Sequence, residues 1–264
     1  MKTAVQLYTL RDHLREHLED GLRRVAEMGY DGVELAGTYG YDPAYIVGLL
    51  KEYKLTPISA HVSYSDIFEG KAEIYREMGC EHIVIPHSPT PTEDTYRELI
   101  ERAAKAEEII RKTGAKPGYH NHDFEFSHSF EGKVYEDLLL ESVPGLDAQF
   151  DVCWVNFGGG DPIEYLNRYK GRTPTVHLKD YVKKGEVRHP VYDLIGYEPV
   201  AELAGEDEFD QRPFGYGVVD SIGIIDTAKK NGVEWLIVEL DKPQKDTTAL
   251  WCVEESLKFI RKHI

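Results

Sequence analysis

Residues 235–239 read Trp235-Leu236-Ile237-Val238-Glu239, four apolar side chains closed by one carboxylate. A strand with one face in water alternates apolar and polar residues, whereas a strand covered on both faces is apolar throughout. This stretch is of the second kind and points to a parallel sheet sheathed in helices. Similar runs lie upstream. His82-Ile83-Val84-Ile85-Pro86-His87 closes on His87, Gly32-Val33-Glu34 on Glu34 and Pro57-Ile58-Ser59-Ala60-His61 on His61. Pro117-Gly118-Tyr119-His120 closes on His120, Ala148-Gln149-Phe150-Asp151 on Asp151 and Thr175-Val176-His177 on His177. From Glu34 to His177 the closing residues follow one another every 26 to 33 positions, and Ala4-Val5-Gln6-Leu7 supplies an eighth run. Eight strand-helix units of about 30 residues close into a (β/α)8 TIM barrel, where side chains at strand ends converge on one cavity. An open doubly wound sheet would gather its ligands at a single crevice instead.

Between the runs, apolar residues repeat at helical spacing: Leu14, Leu18, Leu22, Val25 and Met28 before Gly29, and Leu99, Ala103, Ala106 and Ile110 before Gly114. Leu250, Val253, Leu257 and Ile260 repeat the pattern near the end of the chain. A glycine after each of the first two stripes is a helix stop. One interval breaks the rhythm. From His177 to Glu239 the chain spends about twice a repeat, with little periodicity. A single TIM-barrel domain over 1–264 is therefore expected, with a long loop at about 180–218 over the active-site face. Arg188, His189 and Arg212 on that loop are candidate substrate contacts.

Composition excludes several classes. A net charge of −16 argues against a nucleic-acid partner, because phosphate binding rests on Lys and Arg. Cys80, Cys153 and Cys252 form neither a disulfide framework nor a thiolate zinc motif, and a reducing cytoplasm is the expected setting. The start of the chain turns polar too early for a signal peptide, and no apolar run is long enough to span a bilayer. Imidazoles and carboxylates converging from several strands are the donor set of a divalent transition ion.

The segments Gly118-Tyr119-His120-Asn121-His122-Asp123-Phe124-Glu125-Phe126, Gln149-Phe150-Asp151-Val152-Cys153-Trp154, Val176-His177-Leu178-Lys179-Asp180 and Ile237-Val238-Glu239-Leu240-Asp241 also carry a likeness. They resemble the sugar phosphate isomerase/epimerase family, the xylose isomerase-like TIM barrels of the AP endonuclease 2 superfamily. The resemblance implies one divalent ion (Mn2+, Co2+, Mg2+ or Zn2+) held by His120, Asp151, His177 and Glu239. It implies proton abstraction next to a carbonyl of a sugar or keto-sugar, through a metal-stabilised enediolate. Epimerases of the group carry glutamate where His120 stands, which puts two-carboxylate epimerisation in doubt. It leaves open an inositol-type dehydratase, a 3-keto-glycoside-cleaving enzyme or a non-catalytic sugar- or metal-binding subunit. His61 and His87 match positions of the trinuclear DNA-repair relatives, but Trp154 replaces one bridging histidine there.

A base within hydrogen-bond reach completes such a site. His122, Glu125 and Glu239 are the candidates, and strand alternation sends His120 and His122 to the same side. Lys179, two residues past His177, is a candidate to polarise a carbonyl or else to pair with Asp180 or Glu239. Glu34, His61 and His87 are expected to bind sugar hydroxyls, and Trp154 and Tyr8 to stack on a sugar ring. A homo-oligomer or a hetero-oligomeric partner is compatible with these features.

Overall fold

The computed structural model describes residues 1–193, 202–205 and 207–264. Eight strands form one parallel sheet: β1 Lys2–Gln6, β2 Gly32–Leu35, β3 Thr56–His61, β4 His82–Ile85, β5 Lys116–His120, β6 Asp147–Gln149, β7 Thr175–Leu178 and β8 Trp235–Val238. Hydrogen-bonded neighbours run β6-β5-β4-β3-β2-β1-β8-β7. The ends meet where Asp151 bridges His177 and the His177 amide donates to the Phe150 carbonyl at 2.9 Å, which closes the barrel. Each apolar run of the sequence supplies one strand. Asp151, His87 and Glu239 fall just past the strand ends, while Glu34, His61, His120 and His177 lie within them.

Strand alternation stacks the barrel interior in layers. Ala4, Ile58, Trp235 and Ile237 form an apolar plug, separate from the large core between sheet and helices. Two residues further along β1, Gln6 points inward again, and two past Ile237 comes Glu239, so polar groups fill the carboxyl end. Between Val33 and Glu34 the register against β3 slips, placing Glu34 opposite Ser59. Such a bulge re-aims a side chain, and Ser59 donates its hydroxyl to Glu34 Oε1 at 2.6 Å.

The helices follow the predicted stripes. Helix Arg11–Met28 buries Leu14, Leu18, Leu22 and Val25 and ends on Gly29 at φ 99°, whose amide returns to the Val25 carbonyl. Helix Tyr96–Lys112 buries Leu99, Ala103, Ala106 and Ile110. No helix among the described residues is long and apolar enough to cross a membrane.

The interval expected to be one long loop contains an antiparallel ribbon instead, Asp180–Lys183 against Phe209–Arg212. Aromatic packing supplies its burial: Phe209 stacks on Tyr181 at 5.2 Å and on Trp154 at 5.6 Å. Residues 194–201 and 206 of that interval lie outside the described residues.

Candidate active site

His177 stands at the centre. Its Nε2 lies 2.6 Å from Glu34 Oε2 and its Nδ1 lies 2.9 Å from Glu239 Oε2, all fully or nearly fully buried. Burial alone would strip the ring of its charge, but the two carboxylates prevail and raise its pKa to about 10. Glu34 is in turn saturated by Gln6, Ser59 and Gln149, each within 2.7 Å. Burial pushes the Glu34 carboxyl up, yet His61 and His177 bring it down to about 2. Gln149 Oε1 also accepts from His61 Nε2 at 2.7 Å, so one network orients both imidazoles.

Asp151 follows β6 and caps the helix Val152–Phe157, accepting from the Cys153 and Trp154 amides through Oδ1. The cap leaves Oδ2 facing Lys179 Nζ at 3.0 Å, an ion pair without hydrogen-bond geometry. Burial lifts the Asp151 carboxyl to about 6 against the pull of Lys179. Lys179 is itself buried and also meets Glu239 at 3.2 Å and Asp241 at 2.8 Å. These three carboxylates overcome the burial penalty and keep its ammonium charged. Burial opposes ionisation of Glu239 as well, but Lys179 and His177 hold it well below the usual carboxylate range.

His120 completes the group. Its ring centre is 4.5 Å from that of His177, its Nε2 is 3.9 Å from Glu239 Oε2, and its buried Nδ1 has no partner among the described residues. Burial drives its pKa well below the ordinary value, leaving a neutral imidazole. One donor atom each from His120, Asp151, His177 and Glu239 lie within 4.8 Å of one another, as do those of His61, His120 and His177.

This set fits a divalent ion on its own chemistry. Neutral nitrogen and anionic oxygen are the donors that borderline cations accept. Asp151 Oδ2 accepts no hydrogen bond among the described residues, and the Lys179 ammonium stands in for a cation beside two of the four donors. Glu34 on the far side of His177 is the carboxylate that fixes a ligating ring's tautomer and direction.

Above the donors opens a cleft of about 390 Å³, part of it open to solvent. His61, His87, His120 and His122 line it together with Glu239. Tyr8 forms another wall, its ring covered by the Arg11 guanidinium at 3.9 Å. Asp193 and Asp241 complete the rim. The His122 ring lies between Phe124 and Tyr192, and its Nδ1 has no partner among the described residues. Burial leaves it neutral.

Several residues expected at the cavity serve elsewhere. Glu34 lies beneath His177 with its oxygens already shared, and it does not line the cleft. Trp154 is fully buried under Tyr192 and Phe209 and so offers no open stacking face. Lys179 sits behind the donors, paired with Glu239 but with Asp151 and Asp241 rather than Asp180. Glu125 is buried behind His122, accepting from the His122 amide and the Tyr119 hydroxyl, and burial lifts its carboxyl to about 8. Arg188 is exposed and paired with Glu208, while Arg212 pairs with Asp210 at 2.7 Å; neither lines the cleft. His189 is largely exposed beside Asp123.

Gln6, Gln149, Asp193 and Asp241 also bear on the site, although none of them closes an apolar run. For Gln149 and Asp241 a signal existed, since each lies two residues from an expected ligand on the same strand face. Asp193 carried none.

A parallel barrel with histidines and carboxylates gathered at the carboxyl ends of its strands defines a TIM-barrel enzyme. The chain belongs to the xylose isomerase-like TIM barrel family, whose sequence model matches residues 22–263. It is 28% identical over 224 residues to an inosose dehydratase of Geobacillus kaustophilus, covering 72% of this chain and 68% of that protein. It is 25% identical over 256 residues to the rhizopine catabolism protein MocC of Rhizobium meliloti, covering 85% and 75%. Among solved structures it resembles a sugar phosphate isomerase/epimerase from Parabacteroides distasonis, with a TM-score of 0.79, 22% identity and coverage of 99% and 98%.

Proposed function

We propose that this enzyme removes water from a cyclic keto-polyol of the inosose type, with a divalent ion held by His120, Asp151, His177 and Glu239. When bound, such an ion supplies Lewis acidity that draws charge from a substrate carbonyl and makes the adjacent C–H more acidic. The observation that carries the reading is the wall of imidazoles, His61, His87 and His122, standing beside that donor set. Burial keeps the His122 ring uncharged, so it is open to a proton, which abstraction beside a carbonyl requires. His122, with a neutral ring and a spare Nδ1, takes the proton from the carbon next to the carbonyl. The imidazolium so formed gives that same proton to the departing β-hydroxyl, and water leaves; His87 faces the ring at 6.3 Å between ring centres. Glu239 stays ionised beside Lys179 and His177 and serves as an anionic donor. Glu125 holds the His122 backbone and Lys179 holds the three carboxylates, so both act by positioning.

The second reading is isomerisation or epimerisation, which shares the first proton transfer. His120 in place of the glutamate of the resembled epimerases disfavours it, and the inosose dehydratases among the relatives favour elimination. The two separate in one experiment. Metal-loaded enzyme with keto-inositol in deuterium oxide should yield the dehydrated diketone, seen by ultraviolet absorbance and mass. Wash-in of label with no loss of water would instead establish the isomerase reading, and neither change would refute both.

A further inference from the structure

We infer that Asp241 is a positioning residue that draws the Lys179 ammonium off the carboxylates of Asp151 and Glu239, so that a divalent ion can take both. The inference deepens the reading of His120, Asp151, His177 and Glu239 as an ion site and rests on it.

Lys179 is fully buried, with its ammonium 4.8 Å from the centre of the Trp154 ring. Its Nζ donates to Asp241 Oδ2 at 2.8 Å with hydrogen-bond geometry, which the 3.0 Å contact to Asp151 Oδ2 lacks. Of the three carboxylates around it, Asp241 is the one outside the donor set. Asp241 follows β8 and is gripped from two other parts of the fold. On the ribbon, Gln211 donates to the same Oδ2 at 2.9 Å and accepts from the Asp241 amide at 2.8 Å. From the start of the first helix, Arg11 donates to the Asp241 carbonyl at 2.8 Å and to the Tyr8 carbonyl at 2.9 Å. A carboxylate fixed at its amide, its carbonyl and its side chain does not follow the ammonium; the ammonium comes to it.

An ammonium and a divalent ion compete for the same carboxylate oxygens, since two cations beside one anion repel each other. A Lys179 with only Asp151 and Glu239 as partners would be matched by the very oxygens that the ion needs. Buried, it could not turn to water instead, and giving up both partners would leave its charge unpaired. Asp241 supplies a counter-charge that is no part of the ion's shell. Lys179 then keeps a hydrogen-bonded partner while Asp151 and Glu239 serve the ion, and the grip of Gln211 makes the ribbon part of that arrangement.

Affinity for Mn2+, measured on the full chain by competition with a chelator, tests this. Asp241→Asn keeps an oxygen for Lys179 and Gln211 but no charge, and it is expected to weaken Mn2+ binding by about tenfold or more. Lys179→Met removes the competing ammonium and is expected to tighten binding by about tenfold. Lys179→Gln, neutral but polar, takes its place if the methionine variant does not fold. With Lys179 so replaced, Asp241→Asn should change Mn2+ affinity by less than about threefold, because no ammonium is left to draw off. Asp241→Asn that binds Mn2+ as tightly as wild type overturns the inference without any second variant. Equal weakening by Asp241→Asn with and without Lys179 also overturns it, since that marks a structural or long-range charge effect. Wild type that takes up no Mn2+ overturns the ion reading itself, and this inference with it, before any variant is made.

Discussion

Glu136, on the helix Tyr135–Ser142, has both carboxylate oxygens buried and without a hydrogen-bond partner among the described residues. Burial, reinforced by Glu125 and Asp137, raises its pKa well above the ordinary value. Below about pH 4 both folded and unfolded chains hold the proton, so the group contributes nothing to stability. As pH rises past that point only the unfolded chain ionises, and stability falls until the folded pKa is reached. Glu136→Gln, which keeps the shape and cannot ionise, should raise the melting temperature by roughly 5 °C at pH 8.5 and by less than about 1 °C at pH 4. Equal shifts at both pH values would show that Glu136 is not protonated in the fold. Among the donors, Asp151→Asn keeps an Oδ1 able to cap Val152–Phe157 while losing the anionic Oδ2. It should abolish activity and lower metal content, measured by elemental analysis, with the fold retained. His177→Ala looks equally harmless to the fold on the sequence, but the structure shows that it takes from the buried Glu34 carboxylate its charged partner and leaves it His61 and neutral donors. Removing one partner of a buried charged pair costs about 3–5 kcal/mol, so urea unfolding should reveal a loss there, and a loss in Asp151→Asn as well, since that variant takes one carboxylate from buried Lys179.

The ribbon after β7 is the element that shapes the cleft, and Asp180 ties the returning chain to it. Its carboxylate accepts from the amides of Tyr181, Gly215, Gly217 and Val219. The segment can come so close because Gly217 lacks a side chain: a Cβ there would lie 2.2 Å from Asp180 Oδ1 and 2.3 Å from the Tyr181 carbonyl. Gly217→Ala should therefore destabilise by about 1–3 kcal/mol. Gly48, inside the helix Pro43–Glu52 with nothing within 4 Å of an added Cβ, is the contrast. Gly48→Ala should stabilise by about 0.5–1 kcal/mol through helix propensity. Denaturant melts of the two variants moving in the same direction would contradict this account. The glycines of Phe214-Gly215-Tyr216-Gly217 are visible in the sequence, but the carboxylate they fold around is more than thirty residues away and was not.

Across the molecule, metal binding and protonation are linked. The His177 ring, charged between Glu34 and Glu239, must release its Nδ1 proton to become a ligand, so uptake of the ion should liberate a proton. Apparent metal affinity should rise by up to about tenfold per pH unit between pH 6 and 8, measured by competition with a chelator. An affinity independent of pH would remove His177 from the ligand set. The barrel and the gathering of Glu34, His61, His87, His120, Asp151, His177 and Glu239 at the carboxyl ends of its strands were determined by the sequence alone, because strand ends in a closed parallel sheet share one end of the barrel. Period and polarity are local properties, and the chain displays them residue by residue. What only the tertiary structure decided is which polar groups face substrate and which face each other. Glu34, Trp154, Lys179 and Glu125 turned inward to partners, and Asp193 arrived at the mouth on a segment without periodicity. Those outcomes depend on burial and charge pairing between residues far apart in the chain, and no local pattern encodes them.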